Sequence, residues 1–207
     1  MKRSLLALSL LAAIPALGFS TAAFAADGIS YNYGEVGYAA SQLDNNNVDA
    51  DGWAARGSVA VHPNFHLFGE YSGQKSDDFS LGGTNVDVDV DQWRAGVGYN
   101  HAIAKNVDLV ANVAYQKVDV DDVTVNGASF DGGSEDGYST EVGVRGAMAE
   151  KFEGYAMAGY EDFGGDADDF YGRVGAQVKF TPNWGVSGDV KFADGDTQYF
   201  VGPRYTW

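Results

Sequence analysis

Apolar and polar side chains alternate with a period of two along most of the chain. The clearest stretch is Trp93-Arg94-Ala95-Gly96-Val97-Gly98-Tyr99. Trp93, Ala95, Val97 and Tyr99 share one face, and Arg94, Gly96 and Gly98 share the other, the signature of a half-buried strand. Val107, Leu109, Ala111, Val113 and Tyr115 repeat the pattern opposite Asp108, Asn112 and Gln116. Ten such segments can be drawn, at about 28–40, 51–61, 65–74, 91–101, 106–118, 136–148, 152–161, 169–180, 184–193 and 197–207. Each is near the roughly 9–11 residues that a tilted strand needs to cross a bilayer. Two are ambiguous. In the first, Tyr31 and Tyr33 favour one parity while Val36 and Tyr38 favour the other, and Gly34 and Gly37 leave its facing open. In the seventh, Gly154 to Tyr160 is apolar on both faces.

The connections alternate in kind. Those at His62-Pro63-Asn64, 102–105, Glu150-Lys151 and Thr181-Pro182-Asn183 are tight, while those near 41–50, 75–90, 119–135, 162–168 and 194–196 are polar and mostly longer. Short turns at one end and long loops at the other mark membrane barrels. The pattern predicts an all-β fold, an antiparallel up-and-down transmembrane β-barrel of ten strands, or eight if the first or seventh segment fails to pair.

The chain opens with Met1-Lys2-Arg3, an apolar run from Leu5 to Leu17, and the small residues Ala23 and Ala25. This is the plan of a secretory signal peptide. It assigns residues 1–25 to a leader cleaved before Ala26 and residues 26–207 to the barrel. The apolar run is short for a membrane-spanning helix, so a membrane form of the rest must be a closed barrel.

Composition then narrows the chemistry. The 207 residues include 28 Gly, 12 Phe, 12 Tyr, 4 Trp and no Cys. Without Cys there is no disulfide scaffold, thiolate metal site or cysteine nucleophile. A net charge of −16 argues against a nucleic-acid surface, because phosphates need basic neutralisation. The charges divide by position. Arg56, Arg94, Arg145, Arg173 and Arg204 fall on the polar parity of strands, as do Glu70, Glu141, Asp189 and Lys191. Together they predict a polar lumen network, with Arg56 and Glu70 facing each other across a hairpin folded about Pro63. In a ten-stranded barrel such a network most simply fills and braces the interior. Twenty-one of the 29 acids lie in or beside the longer connections, which makes the outer rim anionic. Asp87, Asp89, Asp91, Asp166, Asp168 and Asp169 are candidates for weak divalent-ion binding there. The stretch from Asp87 lacks the Gly and Glu of a calcium-binding EF-hand loop.

Tyr199, Val201, Pro203, Tyr205 and Trp207 alternate with Phe200, Gly202, Arg204 and Thr206, ending on an aromatic residue. A terminal strand of this kind resembles the assembly signal of Gram-negative outer-membrane barrels. Catalytic constellations are missing. His62, His66 and His101 all sit at the short-turn end, out of reach of an outer-rim aspartate pair, and there is no G-x-S-x-G or P-loop. The reading is a non-enzyme without a cofactor.

The start Met1 to Leu8, the stretch Ala26-Asp27-Gly28-Ile29-Ser30-Tyr31-Asn32-Tyr33 with Glu35 and Tyr38, and the end Val201-Gly202-Pro203-Arg204-Tyr205 resemble a family of small outer-membrane barrels of xanthomonads and relatives, regulated by diffusible signal factor. The resemblance implies an exported barrel linked to motility, biofilm and virulence. The expected partners are outer-membrane lipid and lipopolysaccharide, periplasmic chaperones and the barrel-assembly machinery, with a monomeric protein and no nucleic acid. Two functions follow: a structural or surface-interaction protein with acidic external loops, or a narrow porin-like channel for small solutes.

Overall fold

The computed structural model describes residues 25–43, 48–76, 79–81, 84–120, 123–125, 128–130, 132–164 and 168–207. Fourteen strands follow one another: β1 (Tyr33–Leu43), β2 (Val48–His62), β3 (Phe65–Ser76), β4 (Phe79–Leu81), β5 (Thr84–Asp87), β6 (Asp89–Ala104), β7 (Val107–Val120), β8 (Val123–Val125), β9 (Ala128–Phe130), β10 (Gly133–Ala149), β11 (Phe152–Asp162), β12 (Asp168–Lys179), β13 (Trp184–Ala193) and β14 (Asp196–Thr206). Ten of them close into an antiparallel barrel in the order β1-β14-β13-β12-β11-β10-β7-β6-β3-β2. The ten-strand reading holds. The other four form a separate sheet in which the hairpins β4–β5 and β8–β9, from two long loops, lie side by side.

Burial is inverted relative to a water-soluble domain, where ionisable groups are almost never fully buried. Nineteen polar or charged residues are buried in the described structure, against nine apolar or aromatic ones. The outward face instead exposes Val36, Val59, Leu67, Val97, Val142, Val174, Val186 and Val201. Aromatic pairs flank them: Trp53–Tyr71, Trp93–Tyr115 and Tyr160–Phe170 toward the long loops, Phe65–Tyr99 and Trp184–Tyr205 toward the short turns. Two aromatic girdles around an apolar band match the lipid contact of an outer-membrane barrel.

The ambiguous seventh segment is β11, which is paired along its length to β10 and β12. Its inward residues are Glu153, Tyr155, Met157, Gly159 and Glu161. The apolar ones are admitted to the lumen by glycine–aromatic pairing. Gly159 stands opposite Tyr171 and Tyr155 opposite Gly175. A Cβ on Gly159 would lie 2.3 Å from Cζ of Tyr171, so the ring occupies that space.

The first segment is only partly a strand. It was expected from residue 28, but pairing begins at Tyr33. Val36 and Tyr38 face outward, while Tyr33 and Glu35 turn to the lumen. Gly37 is required by the closing seam. A Cβ there would stand 2.2 Å from the Val201 carbonyl, and a Cβ on Gly202 would stand 2.2 Å from the Val36 carbonyl. Here β1 and β14 approach beside Pro203, which has no N–H to give the ladder.

Three short turns carry the same device. The Asn64 carbonyl accepts from the Asn100 N–H at 2.9 Å, and its side-chain amide donates to the Asn100 carbonyl at 2.8 Å. Asn106 makes the same two bonds with Ala147, and Asn183 with Thr206. Each turn is thereby tied to the neighbouring strand of the ring, β6, β10 and β14 in turn. Register shifts at Ala60/His62, Ala102/Ala104 and Ala147/Ala149 place a bulge just before three of the turns, where the rim needs extra twist.

Candidate functional site: a charged lumen with one covered end

The inward parity of each strand delivers charge to the axis. Seven cations (Arg56, Arg94, Arg145, Arg173, Lys179, Lys191, Arg204) and seven carboxylates (Glu35, Glu70, Asp108, Glu141, Glu153, Glu161, Asp189) share the described lumen. The formal charges cancel, as burial demands, because an unpaired charge in this setting is strongly unfavourable.

The central layer is one connected network. Arg94 donates to Glu70 at 2.9 and 3.2 Å and to Glu141 at 3.1 Å. Arg173 donates to the same Glu70 at 3.2 Å, and the Tyr171 hydroxyl donates to Glu141 at 2.8 Å. Lys191 donates to both oxygens of Glu161, at 2.7 and 2.8 Å. Nearer the turns, Arg145 donates to Glu153 at 2.6 Å. Arg204 lies 3.7 Å from Glu35 and over the Tyr33 ring, and Ser187 donates to Glu35 at 2.6 Å.

Arg56 and Glu70 are direct cross-strand partners, as expected. Their side chains nevertheless part. Arg56 bonds Asp189 and lies over the Phe200 ring, while Glu70 takes Arg94 and Arg173. Glu161, one of the acids beside the connection near 162–168 that were counted toward the anionic rim, lies in the lumen instead, where the Lys191 ammonium meets it. The charge pattern pointed to Arg56, Glu70, Arg94, Glu141, Arg145, Arg173, Asp189, Lys191 and Arg204. It missed Glu35, Asp108, Glu153 and Lys179, although all four share the polar parity of their strands.

Arg56, Glu70, Arg94 and Arg173 border two cavities, one on each side of the layer. That toward the long loops is lined by Gln74, Gln92, Gln116 and Gln198 among others. That toward the turns reaches Tyr31, Tyr33, His66, Tyr155 and Arg204.

Residues 26–31 cover the short-turn mouth. Ala26, Ile29 and Tyr31 are buried against Val110. Asp27 N–H donates to the Lys105 carbonyl at 2.9 Å, Lys179 to the Gly28 carbonyl at 2.8 Å and Arg145 to the Ser30 carbonyl at 3.0 Å. Tyr31 stacks on His66 with centroids 4.4 Å apart, under the Arg145 guanidinium. Burial pushes its phenol above the ordinary range. The alternation pattern had no means of finding this segment, because it is not a strand.

At the rim, Asp89 accepts from Lys75 at 2.8 Å, Asp91 from the Tyr71 hydroxyl at 2.9 Å and Asp168 from the Tyr160 hydroxyl at 3.0 Å. Asp169 stands opposite Glu161. Among the described residues no three metal-binding side chains gather. Asp166 and the side chain of Asp87 lie outside them. Tyr199, Val201, Pro203, Tyr205 and Trp207 all face outward, between inward Phe200, Gly202, Arg204 and Thr206.

No curated protein matches the chain. Among solved structures, the chain is similar to Ail, the attachment invasion locus protein of Yersinia pestis, at 14% identity and TM-score 0.46, covering 86% of this chain and 100% of that one. OprG from Pseudomonas aeruginosa is similar at 11% identity and TM-score 0.48, over 84% and 94%. The translocator domain of the autotransporter NalP from Neisseria meningitidis is similar at 13% identity and TM-score 0.49, over 99% and 95%. The model of the outer membrane protein beta-barrel domain family matches residues 10–202, and the chain belongs to that family.

Proposed function

We propose that this protein is a small structural or surface-interaction barrel of the bacterial outer membrane, with its short turns in the periplasm and its acidic loops outside. The observation that carries the reading is the Glu70–Arg173 pair, which joins opposite walls across the axis. A lumen crossed by ion pairs and covered at one mouth by residues 26–31 is braced rather than open. On this reading the chain is exported with residues 1–25 as a cleaved leader. It is then guided by periplasmic chaperones and inserted by the barrel-assembly machinery through its terminal aromatic strand. Outer-membrane lipid and lipopolysaccharide surround it, and bound divalent ions would bridge acidic loops to lipopolysaccharide phosphates. The resemblance to barrels regulated by diffusible signal factor extends this to a role in biofilm, motility or virulence.

The test is electrical. Purified barrel in planar bilayers gives no discrete conductance steps if the lumen is a brace. The second reading, a narrow channel for small solutes, is favoured by the two cavities that flank the central layer. Regular single-channel steps, with swelling of barrel-loaded liposomes in small solutes, would establish it in place of the first.

A further inference from the structure

Asp108 is the most deeply buried carboxylate of the described lumen, with no exposed surface. Its Oδ1 accepts from the backbone N–H of Ala26 at 2.9 Å and its Oδ2 from the Tyr31 hydroxyl at 2.9 Å. The other six lumen carboxylates each have a Lys or Arg nitrogen within 4 Å. Among the described residues Asp108 has none, and the nearby Arg145 is directed to Glu153 and the Ser30 carbonyl. A carboxylate out of water without a cation is strongly unfavourable. The group on its Oδ1 is the nitrogen of the Ala25–Ala26 peptide bond. That bond is the one marked for leader removal by the small residues Ala23 and Ala25.

We propose that Asp108 is a binding site for a peptide α-ammonium, the one created when the Ala25–Ala26 bond is hydrolysed. This rests on the export reading above. Water adds across the C–N bond, Ala25 leaves with the carboxylate, and the Ala26 nitrogen becomes an ammonium in hydrogen-bond reach of Asp108 Oδ1. Before cleavage the site holds a neutral N–H; afterwards it holds an ion pair, and charge-assisted bonds are about twice as strong as neutral ones. Ala26 is seated for this role, since its side chain is buried and the Asp27 N–H is fixed on Lys105. Leader removal therefore locks the segment that covers the short-turn mouth.

The test uses protein purified from outer-membrane fractions. Intact mass gives an amino terminus at Ala26, and another terminus overturns the proposal. At a pH of about 8, where a free α-amine is partly deprotonated, an acylating reagent labels Ala26 at least tenfold slower in the native barrel than in Asp108→Asn. Equal rates overturn the proposal. Because Asp108→Asn can fail to fold, a second chain carries one extra Gly before Ala26 and is refolded in detergent. It unfolds at lower urea than the Ala26-start chain, and Tyr31→Phe lowers both midpoints alike; identical midpoints for the two chains also overturn the proposal. Failure of the export reading looks different: the protein is missing from outer membranes, while refolded Ala26-start chain still labels slowly.

Discussion

Glu70 on β3 and Arg173 on β12 stand five strands apart in a ring of ten, on opposite walls, and Glu70 Oε1 lies 3.2 Å from Arg173 Nη1. A glutamate and an arginine can meet across the whole diameter only because the ring is narrow. Arg94 completes the bridge by holding both Glu70 and Glu141.

Removing Glu70 takes one of two carboxylates from Arg94 and leaves Arg173 with Glu141 at 3.9 Å, so one carboxylate must balance two guanidinium groups. Glu70→Ala should destabilise the barrel by about 3–5 kcal/mol, the cost of breaking a buried pair from one side. Urea unfolding in lipid vesicles measures this. Glu70→Met combined with Arg173→Met should lose less than the sum of the single variants, because fewer unpaired charges remain.

The turn asparagines form a repeated tie, so their loss should add up. Each of Asn64→Ala, Asn106→Ala and Asn183→Ala removes one side-chain bond to the neighbouring strand. Each should cost about 0.5–1.5 kcal/mol. The triple variant should show nearly the sum, since the turns are far apart and share no partner.

The closing seam has no room for a side chain at Gly202, where a Cβ meets the Val36 carbonyl. Gly202→Val should therefore prevent β14 from pairing with β1. A heat-modifiability gel reads this directly: unheated wild type migrates as the compact barrel, whereas the variant runs as unfolded chain before heating. Gly34→Val is the control, because nothing lies within 4 Å of the added Cβ.

Deleting Trp207 should lower the amount of barrel in outer membranes several-fold while leaving refolding in detergent nearly unchanged. The indole is half exposed on the outer face, and among the described residues its backbone is tied only near the chain start, its N–H donating to the Asn32 carbonyl and its carbonyl accepting from the Ser30 hydroxyl. Unchanged membrane levels would remove the assembly role from the terminal aromatic strand.

The facing of most strands could be read from the chain because alternation is a local property. Trp93 and Arg94 point to opposite sides whatever their neighbours do, and the change from tight turns to long loops orders the strands. Even Arg56 and Glu70 were placed opposite each other by counting from Pro63. The choice of ion-pair partners was not local. Arg56 leaves Glu70 for Asp189 on β13, and Glu161 leaves the rim for Lys191, because closure brings walls together that are distant in sequence. Ala26 meets Asp108 for the same reason, 82 residues on. Periodicity by itself determined that this chain is a ring of amphipathic strands, ten or eight in number, with charge inside and lipid-facing residues outside. Only the closed tertiary structure decided which charges pair across the ring, and what covers its end, since both depend on the barrel's diameter.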